Sequence, residues 1–411
     1  MNAQRHRLFL AAAMASLFAA EAARMPASAA EATKTAPGCV PVGRWIEVAS
    51  GETRPVARVF DRLARRSVVL LGETHTNADH HRWQLHAISA LHGRNPNVVL
   101  AFESFPRSVQ PALDAWTRGE LEEAAFLEKT RWDEVWRYDP AHYLPLFQFA
   151  RLHRIPMVAM NVDRALVRMV REKGWAGVPD DAREGVRDPR PAETEYVEML
   201  RGILAQHWPP KEGEDEKSAE IALDDPDLVK FVQAQLTWDA AMAQKIAEVA
   251  KGGGDPLVIG IVGQGHLQYG YGIPHQLSGL GIEDAAVLLP WDRTSDCARL
   301  KTDAGRAVAE TVFGFVAPQK VAKAPKPLLG VMIEKGSKGG VRVAKVVDGS
   351  VAAAAGLAAD DEILTAAGYP TARLPDLIDI VQRMAPGTWL PLTVRRGDED
   401  MEIVAKFPKV Q

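Results

Sequence analysis

Long apolar runs, an excess of charge and cysteine are all scarce in this chain. Beyond the first thirty residues every apolar stretch is interrupted by charge, which excludes a membrane-spanning helix from the mature chain. The formal net charge of -4 argues against a nucleic-acid partner, which would call for a basic face. No internal repeat is visible. Only two cysteines occur, Cys39 and Cys297, so at most one disulfide can form. What remains is ordinary globular composition, 47% hydrophobic and 25% charged, in 411 residues, long enough for two domains.

The start of the chain has the make-up of an export signal. Arg5, His6 and Arg7 precede an apolar run over 8–20, and small residues around Ala27-Ser28-Ala29 offer a cleavage site. Residues 1–30 are therefore expected to be removed, leaving an exported protein of the periplasm or cell envelope. Cys39 and Cys297 flank the first domain almost end to end, and paired they would tie its ends together; two buried free thiols are the alternative. Thr35-Ala36-Pro37-Gly38, ahead of Cys39, lacks the leucine of a lipid-attachment site, so no lipid anchor is expected.

From about 43 to 317 strand and helix patterns alternate, which predicts an α/β domain with a mostly parallel sheet flanked by helices. Short apolar runs over 67–71, 97–102, 155–161, 257–262 and 286–289 read as buried parallel strands. Helices are expected over 78–91, 141–153, 164–172, 192–207 and 228–250, and Pro106 is expected to open another. In 228–250 the series Phe231, Gln235, Trp238, Met242 and Ile246 marks a buried stripe. Two polar insertions, 174–191 and 209–226, read as solvated loops. The segment 318–327 has linker composition, and 328–408 then reads as a second, smaller β-rich domain with one clear helix over 374–384.

Two glycine-rich turns carry the chemistry. Gly72-Glu73-Thr74-His75 and Gly263-Gln264-Gly265-His266 each follow an apolar run, and Glu103 ends a third. In a parallel sheet the carboxyl ends share one rim, so Glu73, His75, Glu103 and His266 can converge although far apart in sequence. Imidazole and carboxylate suit a divalent transition metal ion held by His75, Glu103 and His266, with Glu73 as general base for a bound water. His80 or His81 is close enough to line the same pocket. Phenolate and imidazole also ligate haem iron. Tyr269 and Tyr271, just after His266, and the cluster Trp132, Trp136, Tyr138 and Tyr143 are candidates for such a pocket.

These motifs, with Ala101-Phe102-Glu103, the stretch 156–161 with Asp163-Arg164, and 235–239, resemble the ChaN-like haem-binding uptake family, in a superfamily shared with Tiki-type metalloproteases. The resemblance covers roughly 56–289. It implies an exported protein that binds haem in iron acquisition, with His75, His266, Tyr269 and Tyr271 as the cofactor-binding candidates. Metal-dependent hydrolysis or peptidase action at the same pocket is the alternative. Residues 328–408 resemble a bacterial PDZ domain through Leu328-Leu329-Gly330-Val331, 346–349, 352–357, 361–364 and 376–381. That likeness implies a groove at Leu329, Gly330 and Val331 for a partner's carboxyl terminus.

Overall fold

The computed structural model describes residues 38–207, 221–316, 327–337 and 339–409. The expected signal segment, the acidic part of the second insertion and nearly all of the expected linker lie outside the described residues. The chain divides into two compact units, Met1–Pro318 and Gln319–Gln411.

The first unit holds an eight-stranded sheet: β1 (Trp45–Glu47), β2 (Glu52–Arg54), β3 (Val68–Glu73), β4 (Val98–Pro106), β5 (Met157–Asn161), β6 (Leu257–Gly263), β7 (Ala286–Asp292) and β8 (Thr311–Phe315). Its order is β2-β1-β8-β7-β3-β6-β4-β5. All neighbours from β8 to β5 are parallel, and β1 and β2 add an antiparallel edge. The helices are α1 (Val56–Leu63), α2 (Ala78–His92), α3 (Gln110–Arg118), α4 (Glu123–Lys129), α5 (Trp132–Val135), α6 (Pro140–His153), α7 (Arg164–Lys173), α8 (Thr194–His207), α9 (Pro226–Lys251) and α10 (Ile273–Gly279).

Every residue of β3, β4, β5 and β6 is buried, which is why these segments read as unbroken apolar runs. Alternate side chains serve opposite faces. Val69 and Leu71 pack with Phe60, Ile88 and Phe147 of α1, α2 and α6. Val68 and Leu70 pack with Met242 and Ile246 of α9 and with Leu277 of α10. Helices thus cover both faces of the sheet.

The connections from β3 and β6 leave in opposite directions along the sheet, β3 towards β4 and β6 towards β7. The carboxyl ends of this adjacent pair therefore open a crevice at a topological switch point. Cys39 and Cys297, 258 residues apart, are joined by a disulfide with Cα atoms 5.7 Å apart.

Three details differ from the sequence reading. Pro106 ends β4, opposite Asn161 of β5, and a short 3-10 turn over Arg107–Val109 precedes α3. The stripe on α9 divides: Met242 and Ile246 are sealed in the core, whereas Phe231, Gln235 and Trp238 line an open cleft. Strands β1, β2 and β8 are absent from the sequence reading; β1 and β2 have three residues each, too short for a pattern.

The second unit is an antiparallel sheet of β9 (Val331–Lys335), β10 (Val341–Val346), β11 (Glu362–Ala366), β12 (Tyr369–Pro370), β13 (Trp389–Arg396) and β14 (Glu399–Lys406). Its order is β14-β13-β11-β10-β9, with β12 beside β11. Besides α12 (Leu374–Gln382) it contains a short helix, α11 (Val351–Ala355), started by the Ser350 side chain accepting from the Ala353 N–H. Four alanines and a valine give no amphipathic period by which to see it in advance. Its own core includes Leu329, Val343, Leu377, Leu392 and Ala405.

Candidate functional site

Glu73 is the last residue of β3, and the chain turns at once so that His75 folds back beside it. Glu73 is 2% exposed, and both its oxygens are occupied. Oε1 accepts the Tyr143 hydroxyl at 2.5 Å and lies 2.8 Å from Nδ1 of His75. Oε2 accepts the Gln84 amide at 2.9 Å and lies 3.3 Å from Nδ1 of His81. Burial pushes its pKa up, but the bonds from His75 and His81 win and hold the carboxyl well below the usual range. Glu73 therefore stays ionised beneath the site. It has no oxygen free for a water, so the expected general-base position is occupied by a group that orients His75.

A second unit of the same kind comes from β6. His266 follows the turn Gly263-Gln264-Gly265, and its Nδ1 is 2.6 Å from Oδ1 of the fully buried Asp239 on α9. Asp239 in turn accepts the Tyr196 hydroxyl of α8 at 2.7 Å. Phenol, carboxylate and imidazole thus appear in the same sequence twice, as Tyr143–Glu73–His75 and Tyr196–Asp239–His266. With its Nδ1 held by Glu73, His75 keeps Nε2 for a ligand.

Glu103 of β4 stands between them. Its Oε1 is 3.5 Å from Nε2 of His266, and its Oε2 accepts the Gly263 N–H at 2.5 Å. Burial pushes the Glu103 pKa up, but the bond to His266 outweighs it and the net shift is downward. For His75, burial acts downward, yet Glu73 and the charge of Glu103 raise its pKa overall. For His266, burial also acts downward, and Asp239 with Glu103 pushes the value up to about 10. Glycine at 263 is required by closeness: a Cβ there would meet Cε1 of His75 at 2.8 Å and Oε2 of Glu103 at 3.4 Å. None of Gly72, Gly263 and Gly265 has positive φ, so conformational freedom is not the reason for glycine at these turns.

His75, Glu103 and His266 line one cleft of about 610 Å³ at the rim. Its walls include Trp136, Tyr138, Phe231 and Trp238, with Val167 and three arginines of α7 on one side. Ring centroids of Trp136 and Tyr138 lie 4.8 and 5.0 Å from that of His75. His75 is the more accessible imidazole, with a side chain 25% exposed against 12% for His266. Among the described residues no group of three or more His, Cys, Asp or Glu side chains is disposed to hold a metal ion.

The two tyrosines expected as haem ligands lie elsewhere. The Tyr269 hydroxyl donates to the Arg299 carbonyl at 2.8 Å. Tyr271 is 3% exposed, stacked on Tyr196 and covered by the Arg306 guanidinium. Neither lines the cleft, because the chain after His266 continues through 3-10 turns, with Tyr269 at φ 56°, and packs against α8. The phenol in the cleft is Tyr138. His80 and His81 are both 2% exposed. His80 accepts the Thr74 N–H at 3.0 Å, and His81 lies 3.1 Å from the His75 carbonyl, so both brace the β3 turn from below. Asp239 falls in the 235–239 stretch that carries the resemblance, but the sequence reading gives neither it nor Tyr196 a role, because a helical pattern gives no sign of which face meets the rim.

In the second unit an apolar groove of about 270 Å³ runs between β9 and α12. Leu329, Gly330 and Val331 line it with Ile333, Leu377 and Val381. Gly330 has φ +82°, and its carbonyl accepts the Val347 N–H at 2.9 Å, so the turn entering β9 is closed on its inner side. β9 is the terminal strand of the sheet.

Comparison with known proteins fits both units. The profile of the family described as haem-binding uptake, Tiki superfamily, ChaN, matches residues 59–277, and that of the PDZ domain matches 327–406. Among solved structures, ChaN of Campylobacter jejuni, described as showing cofacial heme binding, is 18% identical over 66% of this chain and 95% of that one, with a TM-score of 0.47. The HtrA3 PDZ domain bound to a phage-derived ligand is 23% identical over 20% of this chain and 84% of that one, with a TM-score of 0.18. Protein RETICULATA-RELATED 5, chloroplastic, of Arabidopsis thaliana is 24% identical over 233 residues, 54% of this chain. The chain spans 30% of that curated relative's length. With the profile matching just over half of its residues, the chain belongs to the ChaN-type haem-binding uptake family of the Tiki superfamily, and it carries a PDZ domain after that unit.

Proposed function

We propose that the rim cleft binds haem, that His75 or Tyr138 would hold its iron, and that the protein handles haem iron outside the cytoplasm. The observation that carries this reading is the pair of carboxylate-held imidazoles, from β3 and β6, in one cleft with aromatic walls. Haem would supply, when bound, an iron that takes nitrogen or oxygen donors, set in a flat apolar macrocycle. It therefore asks the protein for only one or two donors and for flat apolar walls, which His75, Tyr138, Trp136, Phe231 and Trp238 provide. A cleft of about 610 Å³ is within the usual range for cofactor sites. The export reading is supported by the signal-like residues 5–29 and by the disulfide, which fits an oxidising compartment. No helix among the described residues is long and apolar enough to cross a membrane.

The groove beside β9 suits a partner's carboxyl-terminal peptide added as an edge strand, with an apolar last side chain in the pocket of Leu329, Leu377 and Val381. The haem reading is tested by titrating the full chain with hemin. A saturable Soret band is expected, lost or shifted in the His75→Ala/Tyr138→Phe double variant and unchanged in Tyr269→Phe. A full, unshifted signal in the double variant would remove this cleft as the haem site.

A further inference from the structure

We propose that Arg164 and Arg168, at the rim of the cleft, receive the carboxylate groups of its ligand, so that the cleft selects flat apolar molecules bearing acid groups over their esters. The proposal rests on the haem reading above and names the chemistry that reading leaves open. α7 begins at the cleft, and Arg164, Arg168 and Arg171 recur at i, i+4 and i+7, on one face of the helix. All three line the cleft. Arg171 is engaged: it donates to the Asp227 carbonyl, and its guanidinium lies 5.4 Å from the centre of the Phe231 ring. Arg164 and Arg168 are exposed and have no hydrogen bond or ion pair among the described residues.

The carboxylates in the same cleft do not neutralise them. Asp163 accepts from Arg131 and from Ser108, each at 2.9 Å. Glu103 faces His266 and the Gly263 N–H. Arg164 is moreover the first residue of α7, where the helix dipole disfavours a cation, so helix stability is not what places it there. An independent sign of a ligand comes from the wall itself. Ser104 is 3% exposed and lines the cleft, and its Oγ is buried with no hydrogen-bond partner. An aromatic interior with a guanidinium rim complements an amphiphile whose rings go in and whose acid groups stay at the mouth, where guanidinium pairs with carboxylate through two parallel bonds.

The test compares hemin with hemin dimethyl ester on the full-length chain. The native protein is expected to bind hemin roughly ten- to a hundredfold more tightly than the ester, the range for losing charge-assisted hydrogen bonds. The Arg164→Gln/Arg168→Gln variant is expected to erase that preference, with the Soret position of bound hemin and the far-UV spectrum unchanged. Equal affinity of the native protein for both ligands, or an undiminished preference in the variant, would overturn the carboxylate receptor and leave the haem reading standing. Binding of neither ligand would overturn both.

Discussion

At His266, burial alone would drive the imidazole neutral, yet Asp239 and Glu103 hold its pKa up at about 10. A folded value above the unfolded one of about 6.5 contributes stability that is complete below pH ~6.5 and is lost as pH rises through about 10. Glu73 works in the opposite direction. Its depressed value contributes stability above the unfolded value of about 4.5, lost as the solution is acidified. These two groups together therefore favour the first unit most between about pH 4.5 and 6.5. Calorimetry from pH 6 to 10 is expected to show its unfolding temperature falling on the alkaline side, with a shallower fall in Asp239→Asn, whose imidazole has lost its main stabilising charge. An identical alkaline slope in both proteins would contradict this role for His266.

Between β3 and β6 the two turns come so close that position 263 has no room for a side chain. Gly263→Ala should push His75 off its place at a stability cost of about 1–3 kcal/mol, as overpacking does. Urea unfolding would give that cost, and hemin titration the accompanying loss of affinity. An unaltered hemin affinity would mean that the His75 position does not matter to the ligand. These strand ends were legible in advance because fully buried parallel strands leave continuous Val, Ile and Leu runs, and the glycine-to-histidine turns stand at their ends. Asp239 and Arg164 fall in stretches that carry the family resemblance, but their roles, like those of Tyr196 and Arg168, were not legible, since a helical period tells which residues share a face but not what that face meets. Tyr138 and Trp136, singled out only as members of an aromatic cluster, do line the cleft, whereas Tyr269 and Tyr271 lie near His266 in sequence but turn away from it.

The whole chain is two units with separate cores: the one around β9 to β14 contains neither cysteine, and the disulfide joins two points of the other. Replacing Cys39 and Cys297 by serine should lower the stability of the first unit by about 2–4 kcal/mol, readable as an earlier denaturant midpoint for that unit. An unchanged midpoint would show that the bridge restrains little in the unfolded chain. The central claim is that residues brought from β3, β4 and β6 to one rim form the seat of haem. Iron-edge anomalous diffraction from crystals of the hemin complex tests it most directly. The account predicts an iron peak inside the cleft, within bonding distance of His75 Nε2 or the Tyr138 oxygen. A peak at Tyr269 or Tyr271, or anywhere outside the space bounded by Trp136, Trp238 and α7, would contradict it.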